Sequence, residues 1–286
     1  MDPIILTSIN SSTTIWGLLT QCIGFAVMGP IYLTLYLFTS PLITSSTPLI
    51  PSALSIPEGV ITGIPFGTTI GFIMPTILMS LPAPSILSVS SKIIAILVWQ
   101  AFPLWVTVYT YIWSNALWPK IEYASEADAL ANQLSILRHV YKFALALSVP
   151  AHLATVTLSL SAGVFCPGMF TAFAQSELNP ISAFIPPNPF SDVKAASVAQ
   201  GSQWFLQYDY AITSVAYILW ALASRYAKPV VNANKNESSS LGIGAAVEVI
   251  GKVALLGPYA TALTLIWDRD EAVFAGATAV SEKKKA

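Results

Sequence analysis

The stretch WFLQYDYAITSVAYILWALAS, Trp204–Ser224, is long and apolar enough to cross a bilayer, which takes about 20 residues as a helix. A carboxylic acid, Asp209, sits a third of the way in. An ionisable group at that depth costs about 2.5–3.5 kcal/mol on insertion scales, so it is expected to face a cavity or a partner rather than lipid. Both the fold and the candidate chemistry follow from this segment.

Working outward, further segments have the same character. Runs at about 15–39, 58–81, 93–117, 143–165 and 243–267 are apolar with few internal charges. In the last of them Glu248 and Lys252 lie four residues apart in the order that favours pairing on a helix. The piece GVFCPGMFTAFA, within 163–175, is too short to span, and its Cys-Pro-Gly turn predicts a break or re-entrant segment. The chain is 55% hydrophobic and 9% charged, against about 25% charged in soluble domains. These features predict an all-α fold: a polytopic integral membrane helical bundle of six to seven transmembrane helices in one domain, residues 1–286. TSPLITSSTPLIPS, KIEYASEADALANQ, NPISAFIPPNPFSDV and KPVVNANKNESSS read as linkers. Prolines 30, 65, 75, 103, 150 and 258 interrupt the spans, and kinked helices enclose cavities.

The net charge of −1 leaves no basic surface for nucleic acid. Cys22 and Cys166, both in apolar surroundings, read as packing residues. No basic residue precedes the first apolar run, so that run reads as retained rather than as a cleaved signal peptide. The ending SEKKKA resembles a dilysine retrieval signal, through Lys283 and Lys284, and predicts an endoplasmic-reticulum protein with a cytosolic C-terminus. Lys and Arg counts on alternate sides nearly balance, so charge bias does not assign orientation. Asn10 and Asn236 are glycosylation acceptors only if lumenal.

Three residues are candidate acids or bases. A carboxyl withdrawn from water disfavours its charged form, so Asp209 could hold a proton for a substrate oxygen. Gln207, Tyr208 and Tyr210 flank it as candidate substrate-binding groups. Glu58 follows Pro57 at the start of the second span, where an acid equally complements a helix N-terminus. His152, deeper in the fourth span, reads either as an acid/base or as a buried histidine bonded to Ser148. The plain alternative for Asp209 is a packing hydrogen bond to another helix. WDRDEA, Trp267–Ala272, has a superficial likeness to an acidic cyclase motif but reads as a solvated collar beyond the last span.

Several chemistries lack their residues. Two histidines cannot build a multi-histidine di-iron site, no paired Asp-rich motifs mark a magnesium–diphosphate site, and no phosphate-cradling glycine loop occurs. The sequence therefore predicts metal-free and cofactor-free chemistry, transport, or a scaffold.

QWFLQYDYAITSVAYILWAL (203–222), together with GFIMPTILMSLP (71–82), WQAFPLWV (99–106) and RHVYKFALALSVPAHLA (138–154), resembles the fungal membrane-bound terpene cyclases of the ascochlorin and ascofuranone type. Members of that family are also linked to indole-diterpene pathways. The likeness runs from about Glu58 to Ser224. It implies an enzyme that cyclises a prenyl chain, often with a terminal epoxide, on a non-terpene head group. An acid, Asp209 or Glu58, would then open the epoxide, His152 or the other carboxyl would remove the final proton, and Trp99, Phe102, Trp105, Tyr208 and Tyr210 would line the cavity and stabilise positive charge. A separate family of fungal meroterpenoid cyclases uses two intramembrane acids, and the pair Glu58 and Asp209 is similar to that arrangement by analogy only. The implied partners are a hydrophobic prenylated small molecule and membrane lipid. The competing readings are a transporter or channel for a lipophilic or acidic metabolite, with Asp209, Glu248 and Lys252 along its path, and a non-catalytic membrane scaffold. An absent internal repeat counts against the transporter.

Overall fold

A glycine every fourth residue, Gly59, Gly63, Gly67 and Gly71, gives one side of the second apolar run no side chains. The computed structural model describes residues 12–40, 43, 56–119, 121–226 and 242–283, and in it this stripe lies against another helix. A Cβ on Gly59 would come within 3.0 Å of the Ser114 backbone, and one on Gly71 within 2.5 Å of the Val106 nitrogen. Small residues at this spacing let two apolar helices approach until their backbones touch, which is how helices associate without a hydrophobic drive.

Eleven helices are present among the described residues, with no strand. In chain order they are α1 (Thr13–Ile23), α2 (Phe25–Thr39), α3 (Glu58–Ser80), α4 (Val89–Gln100), α5 (Phe102–Leu117), α6 (Glu126–Phe165), α7 (Ala172–Leu178), α8 (Pro180–Phe184), α9 (Val198–Tyr226), α10 (Ile243–Leu256) and α11 (Pro258–Lys283). The glycine stripe joins α3 to α5. α9 is the central helix, packed between α2 and α11, and α6 runs beside α11 and α3. Ala221, Ala262, Leu265 and Ile266 form the core where α9 meets α11, covered by Tyr141, Tyr217 and Trp220.

α3 and α6 are each long and apolar enough to cross a membrane, and α4 with α5, bent by 65° at their junction, make a third candidate. Among the described residues this is fewer than the six or seven spans expected, for local reasons. The run 15–39 is two helices, because Gly24 takes φ 108° between α1 and α2, and 243–267 is two helices, because Gly257 takes φ 88° between α10 and α11. That left-handed backbone suits glycine and ends a helix. Pro103 and Pro258 sit in the first turns of α5 and α11, where the missing N–H costs nothing, so they begin helices rather than kink them. α9 is 29 residues long, but its glutamines, Asp209 and tyrosines keep it below the hydropathy of the other three.

The acidic linker also changes character. Ser125 accepts a hydrogen bond from the Asp128 amide and caps α6, with Glu126 and Asp128 on the positive end of the helix dipole. Near Cys166 the chain does break, through a wide turn at Ser161–Phe165 and a 3-10 turn at Pro167–Met169 before α7. Cys22 and Cys166 are unpaired and exposed. Asn10, Asn236 and the Lys283 and Lys284 side chains lie outside the described residues.

One end of the bundle carries a cluster of ion pairs. Arg138 donates to both carboxyl oxygens of Glu271 at 2.6 Å, Arg225 pairs with Asp268 at 2.8 Å, and buried Arg269 donates to Asp270, which also accepts from Tyr141 at 2.6 Å. WDRDEA is thus a paired collar. The Arg138 guanidinium holds the Glu271 carboxyl below the usual carboxylate range. A carboxyl depressed in the folded state stabilises the fold above its unfolded value of about 4.3, and that contribution is lost as pH falls through the folded value. Thermal unfolding is expected to show a small decline below about pH 5 that Arg138→Ala blunts. Superimposable pH profiles for the two proteins would exclude this pair as a stabiliser.

Candidate active site

α9 turns one side toward α6 and the elbow between α10 and α11, and a cavity of 680 Å³ opens there. Its walls are largely apolar, with polar groups from three helices: Ser148, His152 and Thr155 of α6, Ser202, Gln203, Gln207 and Tyr210 of α9, and Tyr259 of α11. α8 closes one side with Ala183 and Phe184. This volume lies within the roughly 300–1,000 Å³ usual for small-molecule sites.

The cavity's shape depends on two local devices. Gln207 donates to the carbonyls of Ser182 at 2.6 Å and Ala183 at 3.1 Å, and Gln203 donates to Ser182 at 3.3 Å, so two amides on one face of α9 hold α8 in place. At the elbow, His152 Nε2 faces the Ala254 carbonyl at 3.2 Å. Nε2 is therefore the donor, and the other edge of the ring lies on Gly257, where a Cβ would be 2.8 Å from Cγ and 2.9 Å from Nδ1. The Tyr210 and Tyr259 rings meet edge to face, 5.8 Å between centroids, and Tyr259 stacks similarly on Tyr217 at 5.5 Å.

Of the residues singled out in the sequence, His152, Gln207 and Tyr210 meet at this cavity. Asp209 does not line it. One residue from Tyr210, and so about 100° round α9, it turns toward α2, where Oδ1 accepts from the Ala26 amide at 2.8 Å and Oδ2 from the Phe25 amide at 3.4 Å. It supplies from a distant part of the chain the cap that Gly24 lacks, satisfying otherwise orphaned first-turn amides. Tyr208, on another face, donates its hydroxyl to Pro187.

Glu58 sits near the opposite end of α6. Its Oε1 accepts from Tyr123 at 2.5 Å and Asn132 at 2.8 Å, and the bond to Glu58 raises the Tyr123 hydroxyl pKa above its ordinary value. Asn132 and His152 stand about 30 Å apart along the helix at ~1.5 Å per residue. Glu58→Gln is therefore expected to leave turnover within about twofold while lowering stability by about 1 kcal/mol. A large fall in turnover without loss of protein would return Glu58 to the chemistry.

Trp99, Phe102 and Trp105 also lie elsewhere. Trp99 donates to Thr76 at 2.9 Å, Phe102 packs on Phe72 at 4.8 Å, and Trp105 donates to the Val98 carbonyl at 2.8 Å, so all three brace the joint of α3, α4 and α5. Glu248 and Lys252 pair with each other at 2.6 Å. Tyr259 and Gly257 were not read from the sequence as site residues, although the Gly-Pro pair at 257–258 is a turn signal that marks the elbow. Among the described residues, no group of three or more His, Cys, Asp or Glu side chains converges.

Comparison with known proteins places this architecture. The CtvD domain matches residues 6–274. The chain belongs to the CtvD family. Within that family it is 34% identical over 262 residues to terpene cyclase ascI of Acremonium egyptiacum, covering 91% of this chain and 63% of that protein. It is 31% identical over 219 residues to terpene cyclase penA of Penicillium crustosum, with 75% and 54% covered, and 26% identical over 276 residues to terpene cyclase ctvD of Aspergillus terreus, with 92% and 69% covered. The chain thus spans between about half and two-thirds of the length of most of these relatives. No solved structure matches it. In this CtvD-family chain the matched region takes in every residue that lines the cavity.

Proposed function

We propose that this chain is a membrane-embedded terpene cyclase, which binds a prenylated meroterpenoid or indole-diterpene precursor in the cavity between α6, α9 and α11 and starts cyclisation by protonating its terminal epoxide or olefin, without a metal. The observation that carries the reading is a largely apolar cavity with a histidine and two tyrosine rings on its wall, in a chain of a family whose named relatives are terpene cyclases. An apolar wall suits a prenyl chain and excludes water from a cation.

His152 is the proposed acid and base. With Nε2 given to the Ala254 carbonyl, a protonated His152 offers its Nδ1 proton to the epoxide oxygen. The C–O bond at the more substituted carbon breaks, and a neighbouring double bond attacks the resulting cation. The faces of Tyr210 and Tyr259 stabilise positive charge as it moves. The last cation returns a proton to Nδ1, so the product is an isomer of the substrate. Asp209 acts by position: it joins α2 to α9, and one turn on, Thr213 bonds both the Asp209 carbonyl and the Tyr259 hydroxyl.

In this reading the bundle sits in the endoplasmic-reticulum membrane with its C-terminus cytosolic. The broken pairs α1–α2 and α10–α11 and the polar α9 complete a six- or seven-pass arrangement around α3, α4–α5 and α6, since interrupted helices are tolerated where protein covers the freed backbone.

Mass spectrometry of a host expressing the chain and fed epoxidised prenyl-phenol or prenyl-indole precursors tests the proposal. A product of unchanged mass and shifted retention is expected, reduced about a hundredfold or more in His152→Ala and less severely in Tyr210→Phe. Normal turnover by His152→Ala would remove the histidine from the chemistry. Unconverted precursors throughout, with protein confirmed in the membrane, would overturn the cyclase assignment for these substrates.

A further inference from the structure

A second hollow, of 380 Å³, adjoins the cavity. The two share His152, Phe184, Tyr210 and Pro258, so these side chains stand between them, and we treat them as the waist that a ligand reaching both hollows must pass. Beyond it the lining differs. The larger hollow adds six further hydroxyl or amide side chains, whereas the smaller adds Val156 of α6, Val253 and Ala254 of α10, and Ser214 of α9. Ser214 stands one turn on from Tyr210. Its Oγ is buried without a hydrogen bond of ordinary geometry, with the Tyr210 and Tyr259 hydroxyls as its polar neighbours.

A ligand with a polar head and an apolar tail has one favourable orientation in such a pair of hollows. Its hydrogen-bonding head occupies the larger, where donors and acceptors can be satisfied, and its tail passes the waist into the smaller, which offers mainly apolar surface. We infer that the smaller hollow is the subsite for the distal isoprene unit of the prenyl chain, with Val156 and Val253 setting the accepted chain length. Resting on the cyclase reading, this puts the reactive end of the substrate beside His152 and Tyr210. It also makes the residues beyond the waist determinants of specificity.

The test uses the full chain in lipid nanodiscs and a series of unreactive prenyl-phenols with one, two or three saturated isoprene units, with affinity read by ligand-induced thermal shift. Wild type is expected to bind more tightly with each added unit, by about tenfold or more for a unit fully buried. Val156→Phe and Val253→Phe, which fill the smaller hollow, should lose the gain from the longest chain and bind the one-unit compound within about twofold of wild type. Val253→Ala, which enlarges the hollow and covers the case in which a phenylalanine variant does not fold, should shift preference toward longer chains. Unchanged length dependence in the folded variants, or equal loss for every chain length, would overturn the subsite. Because these readouts are of binding, a protein that discriminates chain lengths but never forms the isomer would keep the subsite and lose the cyclase reading. A cyclase whose filled variants keep wild-type length preference would do the reverse.

Discussion

Gly257→Val is expected to lose about 3 kcal/mol of stability and most turnover. Two independent effects act at this residue. Its φ of 88° is a conformation that a β-branched residue reaches only at a cost of about 1–3 kcal/mol. A Cβ there would also lie 2.8 Å from His152 Cγ, inside van der Waals contact, so the imidazole must leave the position it holds against Ala254. The variant therefore damages both the elbow between α10 and α11 and the histidine proposed as acid and base. Thermal unfolding of purified protein and product formation per mole of protein measure the two effects separately. The double variant Gly257→Ala with His152→Ala removes the two closest contacts, to Cγ and Nδ1, and leaves the one to the His152 Cβ at 3.1 Å and the backbone strain, so its stability should exceed the sum of the single changes, a coupling expected of residues in contact. Strict additivity, or a Gly257→Val protein with wild-type turnover, would show that the elbow does not position His152.

Asp209 gives the second large effect, and the choice of substitution decides what is learned. Asp209→Leu removes the acceptor for the Phe25 and Ala26 amides. A buried donor left without a partner costs about 1–3 kcal/mol, and these two are part-buried, so a loss of about 2–4 kcal/mol and poor accumulation are expected. Asp209→Asn keeps one acceptor oxygen that can meet Ala26, the shorter of the two contacts, and is expected to accumulate normally and retain more than about a third of wild-type turnover. The sequence reading of Asp209 as the epoxide-protonating acid requires the opposite result, an Asn variant present in the membrane and inert. Product yield against membrane protein for the three chains separates the alternatives.

Much of the helical architecture is legible residue by residue. The apolar run at 58–81 gave α3 almost to its ends, because Pro57 and Glu58 favour a helix start and the run carries no internal charge. The span expected at 143–165 is the second half of α6, whose true start at Glu126 is signalled by Ser125 and Asp128 three residues apart, a cap pattern hidden within what reads as an acidic linker. The runs 15–39 and 243–267 read as single helices because hydropathy averages over Gly24 and Gly257, each of which ends a helix through its own backbone angle.

By itself, the sequence determined that the chain is helical, apolar and built around a helix with a polar, aromatic end, because composition and periodicity are local properties that survive in any tertiary arrangement. It also determined the likeness to terpene cyclases, which the family match bears out. Tertiary structure alone decided which polar residues share a space. Asp209 and Tyr210 are neighbours in sequence, yet one caps α2 and the other faces the cavity, since successive residues point about 100° apart on a helix. His152, Tyr210 and Tyr259 come from three helices and meet because Gly257 and the two glutamines bend and hold the chain around them. A convergence of that kind depends on directions and distances between elements, which no stretch of sequence contains.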